Sequence, residues 1–249
     1  MKQICHAKLA VMYQDVADLN AFYRSRLGQT ARRVVLRRVR TLWPDVSGQR
    51  LMGLGYAIPY LRVFNGEAER VLAFCPAGQG VIRWPQDGPA QISLIDEDQI
   101  PLDDESMDRV LLAHAVENSE MQRDMLRQVW RVLAPGGRLL VLAANRRGMW
   151  ARADATPFGH GHPYSEHQLD RLLRASMFTP LRTEHALYVP PLQRGLSLWS
   201  APAWERVGQS WGLPLPGVVM IEASKQMYGA LPASGRRSAA RLLVPAGAG

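Results

Sequence analysis

Arg50 to Leu61, RLMGLGYAIPYL, constrains the fold of this chain more than any other stretch. A short apolar run enters a turn carrying Gly53 and Gly55, and a helical stretch with Pro59 in its first turn follows. Parallel sheets receive nucleotide-type cofactors at such a place, where a strand passes through a tight glycine turn into a helix. Proline is tolerated there because the first N–H groups of a helix have no partner within it. The pattern departs from a full glycine-rich loop. Ala57 and Pro59 stand where further glycines would fall, and no acid precedes the turn.

The rest of the chain repeats the same rhythm. Val71 to Phe74 reads as a second strand ending at Cys75-Pro76, and Gln91 to Ile95 as a third that runs into Asp96, Glu97 and Asp98. Arg109 to Ala113 reads as a fourth. Met121 to Leu133 predicts a helix with Met125, Val129, Val132 and Leu133 on one face; Pro135-Gly136-Gly137 ends it and Arg138 to Ala143 makes a fifth strand. Short apolar strands with helices between them predict an α/β, three-layer, doubly wound, mostly parallel sheet.

Residues 1–47 are expected to form a helical cap. Asp18 or Asn20 would cap a first helix, Leu27-Gly28 would break it, and Thr30 to Trp43 would form a second. Val35, Val39 and Leu42 share one side of that second helix; Arg32, Arg33, Arg37, Arg38 and Arg40 lie mostly on the other, as a solvated basic face. Downstream, Ser165 with Gln168 forms a capping box before Leu169, Leu172, Leu173 and Met177. Ala186 to Val189 and Val218 to Ala223 read as closing strands. Residues 190–217 form an insertion between them with Trp199, Trp204 and Trp211, a surface suited to a protein partner. Residues 1–229 are expected as a single domain, and 230–249 as a disordered tail rich in Ala, Gly, Pro and Arg.

The net charge of +8 comes almost wholly from arginine, since Lys2, Lys8 and Lys225 are the only lysines. These arginines are spread along the chain, and no aromatic platform for bases is interleaved with them. A nucleic-acid surface on residues 32–40 is therefore not favoured. No window approaches ~18 uninterrupted apolar residues, so no membrane span is expected. The first residues carry no cleavage signal, and Cys5 and Cys75 make neither a disulfide framework nor a metal-ligand pair; both point to the cytoplasm. His160, His162 and His167 could in principle hold a metal ion, but no carboxylate completes an H-x-H-x-D-H run. No metal is expected. His160, His162 and Tyr164, in the loop after the fifth strand, are instead candidates to border a substrate.

The stretches IPLDDESMDRVLLAHAVEN and LRQVWRVLAPGGRLLVLAAN resemble class I S-adenosylmethionine-dependent methyltransferases of the small-molecule, type 11 kind. Val132 to Val141 carries the most specific part of that likeness, which extends over roughly residues 48–178. The resemblance implies a seven-stranded Rossmann-like sheet with an antiparallel last strand, and S-adenosylmethionine over the carboxyl ends of the first strands. It carries the glycine loop onto Gly53, Gly55, Tyr56, Ala57 and Pro59, with the usual preceding acid replaced by Gly53. The ribose-binding acid falls on Cys75, the adenine-binding acid on Asp96, and the residue against the ring on Glu97. Tyr23 lies in a segment that covers the cofactor in such proteins. His114 and Glu117 match a common His and Glu and are the candidate acid–base residues, while Asn118 replaces a second histidine.

The chain lacks an N/D-P-P-Y motif after the fourth strand and a second cysteine for covalent pyrimidine methylation, so a small-molecule acceptor is expected. It also lacks the G-x-S-x-G elbow of an α/β-hydrolase. The alternative implied by Gly53 and Cys75 is a methyltransferase-like protein without catalysis that serves as a binding or regulatory subunit.

Overall fold

The structure is a computed structural model and describes residues 13–192, 201–210 and 216–226. Seven strands form one sheet: β1 (Arg50–Gly55), β2 (Arg70–Pro76), β3 (Ile92–Ile95), β4 (Met107–Ala113), β5 (Leu133–Ala144), β6 (Phe178–Ala186) and β7 (Val218–Lys225), in the order β3-β2-β1-β4-β5-β7-β6. The first five are parallel, and β7 runs antiparallel between β5 and β6. The topology turns at β1 and β4, whose carboxyl ends therefore border the crevice where such sheets bind ligands.

Because side chains alternate across a strand, successive residues feed two cores. Leu51, Leu111, Leu140, Leu142, Val218 and Met220 face helices α1 (Val16–Arg24), α2 (Arg26–Leu42) and α3 (Ile58–Leu61). Met52, Leu54, Val110, Leu112, Leu139 and Val141 face α4 (Gln122–Val132) and α5 (Glu166–Ala175). Three layers result, as the alternation predicts. A further helix, α6 (Ala201–Ser210), lies within the 190–217 insertion and packs Ala201 into the first core. None of the described helices is long and apolar enough to cross a membrane.

Several boundaries differ from the expected ones, each for a local reason. Asp15, not Asp18 or Asn20, caps α1, its carboxylate accepting from Ala17 N at 2.6 Å. The break before α2 falls at Ser25, whose hydroxyl caps Gly28 N at 3.1 Å. Gly28 lies inside α2 because a Cβ there would stand 2.0 Å from Phe22 O, where the two helices meet. β5 starts at Leu133, directly after α4, and β6 starts at Phe178, with two residues between it and the end of α5; residues 187–189 are not strand. The capping box of Ser165 and Gln168 is present. Trp199, Trp211 and the tail at 230–249 lie outside the described residues.

Part of the basic face of α2 is spent within the fold. Arg40 makes a two-pronged ion pair with Glu67 and covers the Phe64 ring at 4.7 Å, while Arg38 reaches Glu184 at 4.0 Å. Arg33 and Arg37 are exposed. Nearby, Arg109 pairs with Glu222 at 3.7 Å and Trp43 Nε1 donates to the same carboxylate at 3.1 Å. This charge is buried with its partners, as the cost of an unpaired buried ion requires.

Candidate functional site

The glycine turn after β1 is packed by the chain itself. A Cβ on Gly53 would lie 2.4 Å from Leu61 Cδ1 and 2.6 Å from the Ala57 methyl group, so α3 fills the place where an acid would project. Gly55 has φ +78°, a conformation that glycine adopts without penalty; a Cβ there would lie 2.4 Å from Ala113 O. That carbonyl already accepts from Tyr56 N at 2.8 Å. Cys75 is fully buried at the end of β2, and its thiol points at Gly55 O, 3.6 Å away. Burial pushes that thiol up to about 12. Gly53, Gly55 and Cys75 thus tie the ends of β1, β2 and β4 together.

The β2–β3 half of the same edge is open. A cavity of about 430 Å³ lies there, lined by Tyr13, Gly78, Asp96, Glu97, Asp98 and Glu120 among others. Asp96 is exposed and Glu97 half-buried, the latter accepting a hydrogen bond from the Ser119 hydroxyl. Tyr13 closes one side; burial, and next the Glu97 carboxylate, hold its phenol well above the ordinary value. Four carboxylates around one opening suit a group that donates hydrogen bonds or carries positive charge.

At the end of β4 the chain turns through His114 with φ +52°, in the left-handed region that non-glycine residues rarely adopt and that marks functional turns. Asn118 Nδ2 donates to the His114 carbonyl at 3.0 Å and holds this turn. The imidazole is buried, its Nε2 lying 2.8 Å from the Tyr23 hydroxyl, which in turn lies 2.9 Å from the Tyr60 hydroxyl. Tyr23 stacks on Tyr56 with centroids 5.6 Å apart, and the Phe158 ring stands 4.9 Å from the imidazole. On the far side of the ring, Nδ1 lies 3.8 Å from Glu117 Oε1.

Glu117 is buried as completely as any core residue, and burial raises its carboxyl to about 7 while lowering the His114 imidazole to about 4. His114 is therefore neutral near pH 7 and Glu117 is poised there, as a general base needs. His114 Nδ1, Glu117 Oε2 and Asn118 Oδ1 are buried without a hydrogen-bond partner.

The loop after β5 covers this turn with its backbone. His162 N donates to Glu117 O at 2.7 Å, and Gly161, at φ +73°, comes so close that a Cβ would stand 2.4 Å from that oxygen. The side chains of His160, His162 and His167 are exposed; His160 Nε2 bonds Asp154 O at 2.8 Å. Tyr164 is half-buried, its hydroxyl 3.4 Å from Val116 O. No three His, Cys, Asp or Glu groups among the described residues are arranged to hold a metal ion. The structure thus gathers Tyr23, Tyr56, His114 and Glu117 into one cluster and puts Asp96 and Glu97 on a neighbouring cavity.

Tyr13, Tyr60 and Phe158 belong to these two groups and were not foreseen. They lie 44 to 101 positions from His114 in the chain, and only the folded sheet edge brings them there. Tyr60 carried a weak signal, since it occupies the helix directly after the glycine turn.

Residues 52–141 match the model of a family described as a methyltransferase domain. No curated protein matches the chain by sequence. Among solved structures, the chain is similar to the cyclase SpnF, at 22% identity and a TM-score of 0.58 over 82% of this chain and 84% of that one. It is also similar to an S-adenosylmethionine-dependent methyltransferase of Thermotoga maritima, at 16% identity and a TM-score of 0.59 over 85% of this chain and 96% of that one. A third, from Mesorhizobium loti, aligns at 18% identity with a TM-score of 0.55 over 76% and 96%. At such identities the likeness is one of fold, and the fold is the one that the strand order and the antiparallel β7 describe.

Proposed function

We propose that this chain, which carries a class I methyltransferase domain, transfers a methyl group from S-adenosylmethionine to a small-molecule hydroxyl or amine. One observation carries the reading: a carboxylate-rich cavity and a buried imidazole–carboxyl pair stand on the same edge of the sheet. Asp96 would accept from the adenine amino group in the cavity, Glu97 would lie against the ring, and the backbone at Gly55, with Tyr56 and Ala57, would border the rest of the cofactor. The bound sulfonium supplies an electrophilic methyl group. Tyr23 would cover the reacting centre, excluding water, and Glu117 would take the proton of the nucleophile. His160, His162 and Tyr164 would border the acceptor from the loop after β5.

The fit is unequal along the cofactor. The adenine half is open and carries the acceptors it needs. At the ribose position, Cys75 offers no carboxylate and rests on Gly55 O; at Gly53 neither an acid nor room for one exists. Loss of one charge-assisted hydrogen bond costs roughly 1.5–3 kcal/mol, which is about a ten- to hundredfold in affinity. Tyr23 and Tyr56 also fill the β1–β4 half, so that α1 must shift for the remainder of the cofactor to enter.

Calorimetric titration with S-adenosylmethionine and S-adenosylhomocysteine tests the proposal. Binding in the micromolar range that is lost in Asp96→Ala is the expected result. A folded sample that shows no heat at millimolar cofactor overturns it. That outcome supports the second reading, a domain without catalysis acting as a partner subunit. The closure of Gly53 and Cys75 favours this reading, and α6 supplies a surface for it, since Trp204 and Val207 are exposed one turn apart.

A further inference from the structure

The protons in the buried chain Tyr60–Tyr23–His114–Glu117 can be assigned by comparing what each arrangement leaves facing the Glu117 carboxylate, since each leaves one buried donor without a hydrogen bond: Nδ1–H of His114 in one, the Tyr60 hydroxyl in the other. Two directions are open. In the first, Tyr60 donates to the Tyr23 oxygen across 2.9 Å and Tyr23 donates to His114 Nε2 across 2.8 Å. The imidazole then carries its hydrogen on Nδ1, which faces Glu117 Oε1 at 3.8 Å. In the second, His114 Nε2–H donates to Tyr23 and Tyr23 donates to Tyr60. The Tyr60 hydrogen then points away from its one hydrogen-bond partner in a fully buried site, and the bare Nδ1 lone pair faces the Glu117 carboxylate. A buried donor left without a hydrogen bond costs roughly 1–3 kcal/mol in either direction, but in the first the unpaired N–H faces a carboxylate that attracts it. A lone pair facing a carboxylate adds repulsion at low local dielectric.

We infer that the protons run from Tyr60 through Tyr23 to His114 and point at Glu117, making Glu117 the base for a substrate hydroxyl or amine and Tyr23 and Tyr60 its positioning residues. His114 Nδ1–H faces the Oε1 side of the carboxylate across 3.8 Å, an electrostatic contact longer than a hydrogen bond. Oε2 is buried with no partner and is the oxygen left for the substrate. In the step, the substrate O–H or N–H bond breaks, the hydrogen joins Oε2, and the bonding pair stays on the nucleophile. His114 keeps its own proton throughout and stays neutral, in keeping with its depressed basicity.

The titratable groups facing Glu117 are His114, on the same turn, and Tyr164, from the loop after β5; Tyr23 and Tyr60 face it beyond the imidazole, and the backbone N–H groups of Glu117 and Ala144 also reach the carboxylate. All are uncharged near neutral pH, so the carboxylate has no fixed cation to lean on. An acceptor that still holds a proton is therefore the chemistry this site recognises. The base role rests on the methyl-transfer reading above; the proton placement does not.

The test reads the His114 ring nitrogens by ¹⁵N NMR in the full chain without cofactor at pH 8, with the signal assigned by its absence in His114→Gln. A neutral ring protonated on Nδ1 is expected, shifting toward the Nε2-protonated form in Tyr23→Phe and unchanged in Tyr60→Phe. Nε2 protonation in the unmodified chain, or a tautomer that ignores Tyr23→Phe, overturns the direction. The same signal is expected to titrate with a midpoint near 7 and to lose that step in Glu117→Gln. A titration that persists in Glu117→Gln removes Glu117 as its source and overturns the base. Because no step of this experiment needs a cofactor, failure of S-adenosylmethionine to bind is told apart from failure of the proton chain.

Discussion

The two halves of the sheet's carboxyl edge are built on opposite principles. Between β2 and β3 the edge is open and acidic, with Asp96, Glu97, Asp98 and Glu120 around a cavity of about 430 Å³. Between β1 and β4 it is closed and aromatic, with Tyr23, Tyr56, Tyr60 and Phe158 packed around His114. The closed half shifts its ionisable groups by burial, which lowers His114 and raises Glu117. On the proposed reading, recognition and acid–base chemistry are separated along one edge, and substitutions should separate them too.

The largest effect is expected on the closed side. Gly55→Val forces a branched side chain to φ +78° with its Cβ 2.4 Å from Ala113 O. Strain and overpacking together should destabilise the fold by roughly 4 kcal/mol, read as a fall in the urea midpoint. Restoring the missing acid with Gly53→Asp should cost roughly 3 kcal/mol, because Leu61 and Ala57 occupy its place. Leu61→Ala in the same chain should recover part of that loss. If Gly53→Asp alone is neutral, the turn is not closed.

The pH dependence of stability sharpens the comparison further. Glu117 is raised in the folded state, so it favours folding at low pH and loses that contribution as pH rises from about 4.5 to about 7. His114 is lowered, so its effect has the opposite sign: stability rises with pH between about 4 and about 6.5. Each contribution is about 3 kcal/mol by linkage, and they oppose one another over most of the range. Urea unfolding across pH should therefore show a rising limb in Glu117→Gln, a falling limb in His114→Gln, and a flatter curve in the unmodified chain. Equal slopes in all three would mean that burial does not control these groups.

The smallest effect belongs to the open side. Asp96→Asn should leave stability within about 0.5 kcal/mol, since the residue is exposed. It should weaken S-adenosylmethionine binding by about tenfold, or ~1.4 kcal/mol, in calorimetric titration. A large loss of stability with unchanged binding would reverse the roles of the two halves.

The open half was legible in the sequence because its residues are local. Asp96, Glu97 and Asp98 follow an apolar run directly, and a strand ending in acids already announces where a sheet edge turns polar. The closed half was legible only in its members: Tyr23, Tyr56, His114 and Glu117 were singled out, but not as a hydrogen-bonded chain. Tyr60 and Phe158, which complete it, sit in stretches that read as ordinary helix and loop. The exposed side chains of His160, His162 and His167 show the converse. Their spacing suggests a role for the side chains, yet the loop meets the site through the His162 backbone and Gly161.

By itself the sequence determined the architecture: alternating apolar periods of two and of roughly 3.6 dictated strands and helices, and the glycine turn after β1 marked the working edge. It also determined that the acids usual before that turn and at the end of β2 are missing. Only the tertiary structure decided what replaced them. Leu61 and Ala57 fill the space at Gly53, Cys75 rests on Gly55, and Tyr23 reaches His114 across 91 positions of chain. Local pattern fixes local conformation, whereas the protonation of a buried pair depends on which distant side chains exclude water from it.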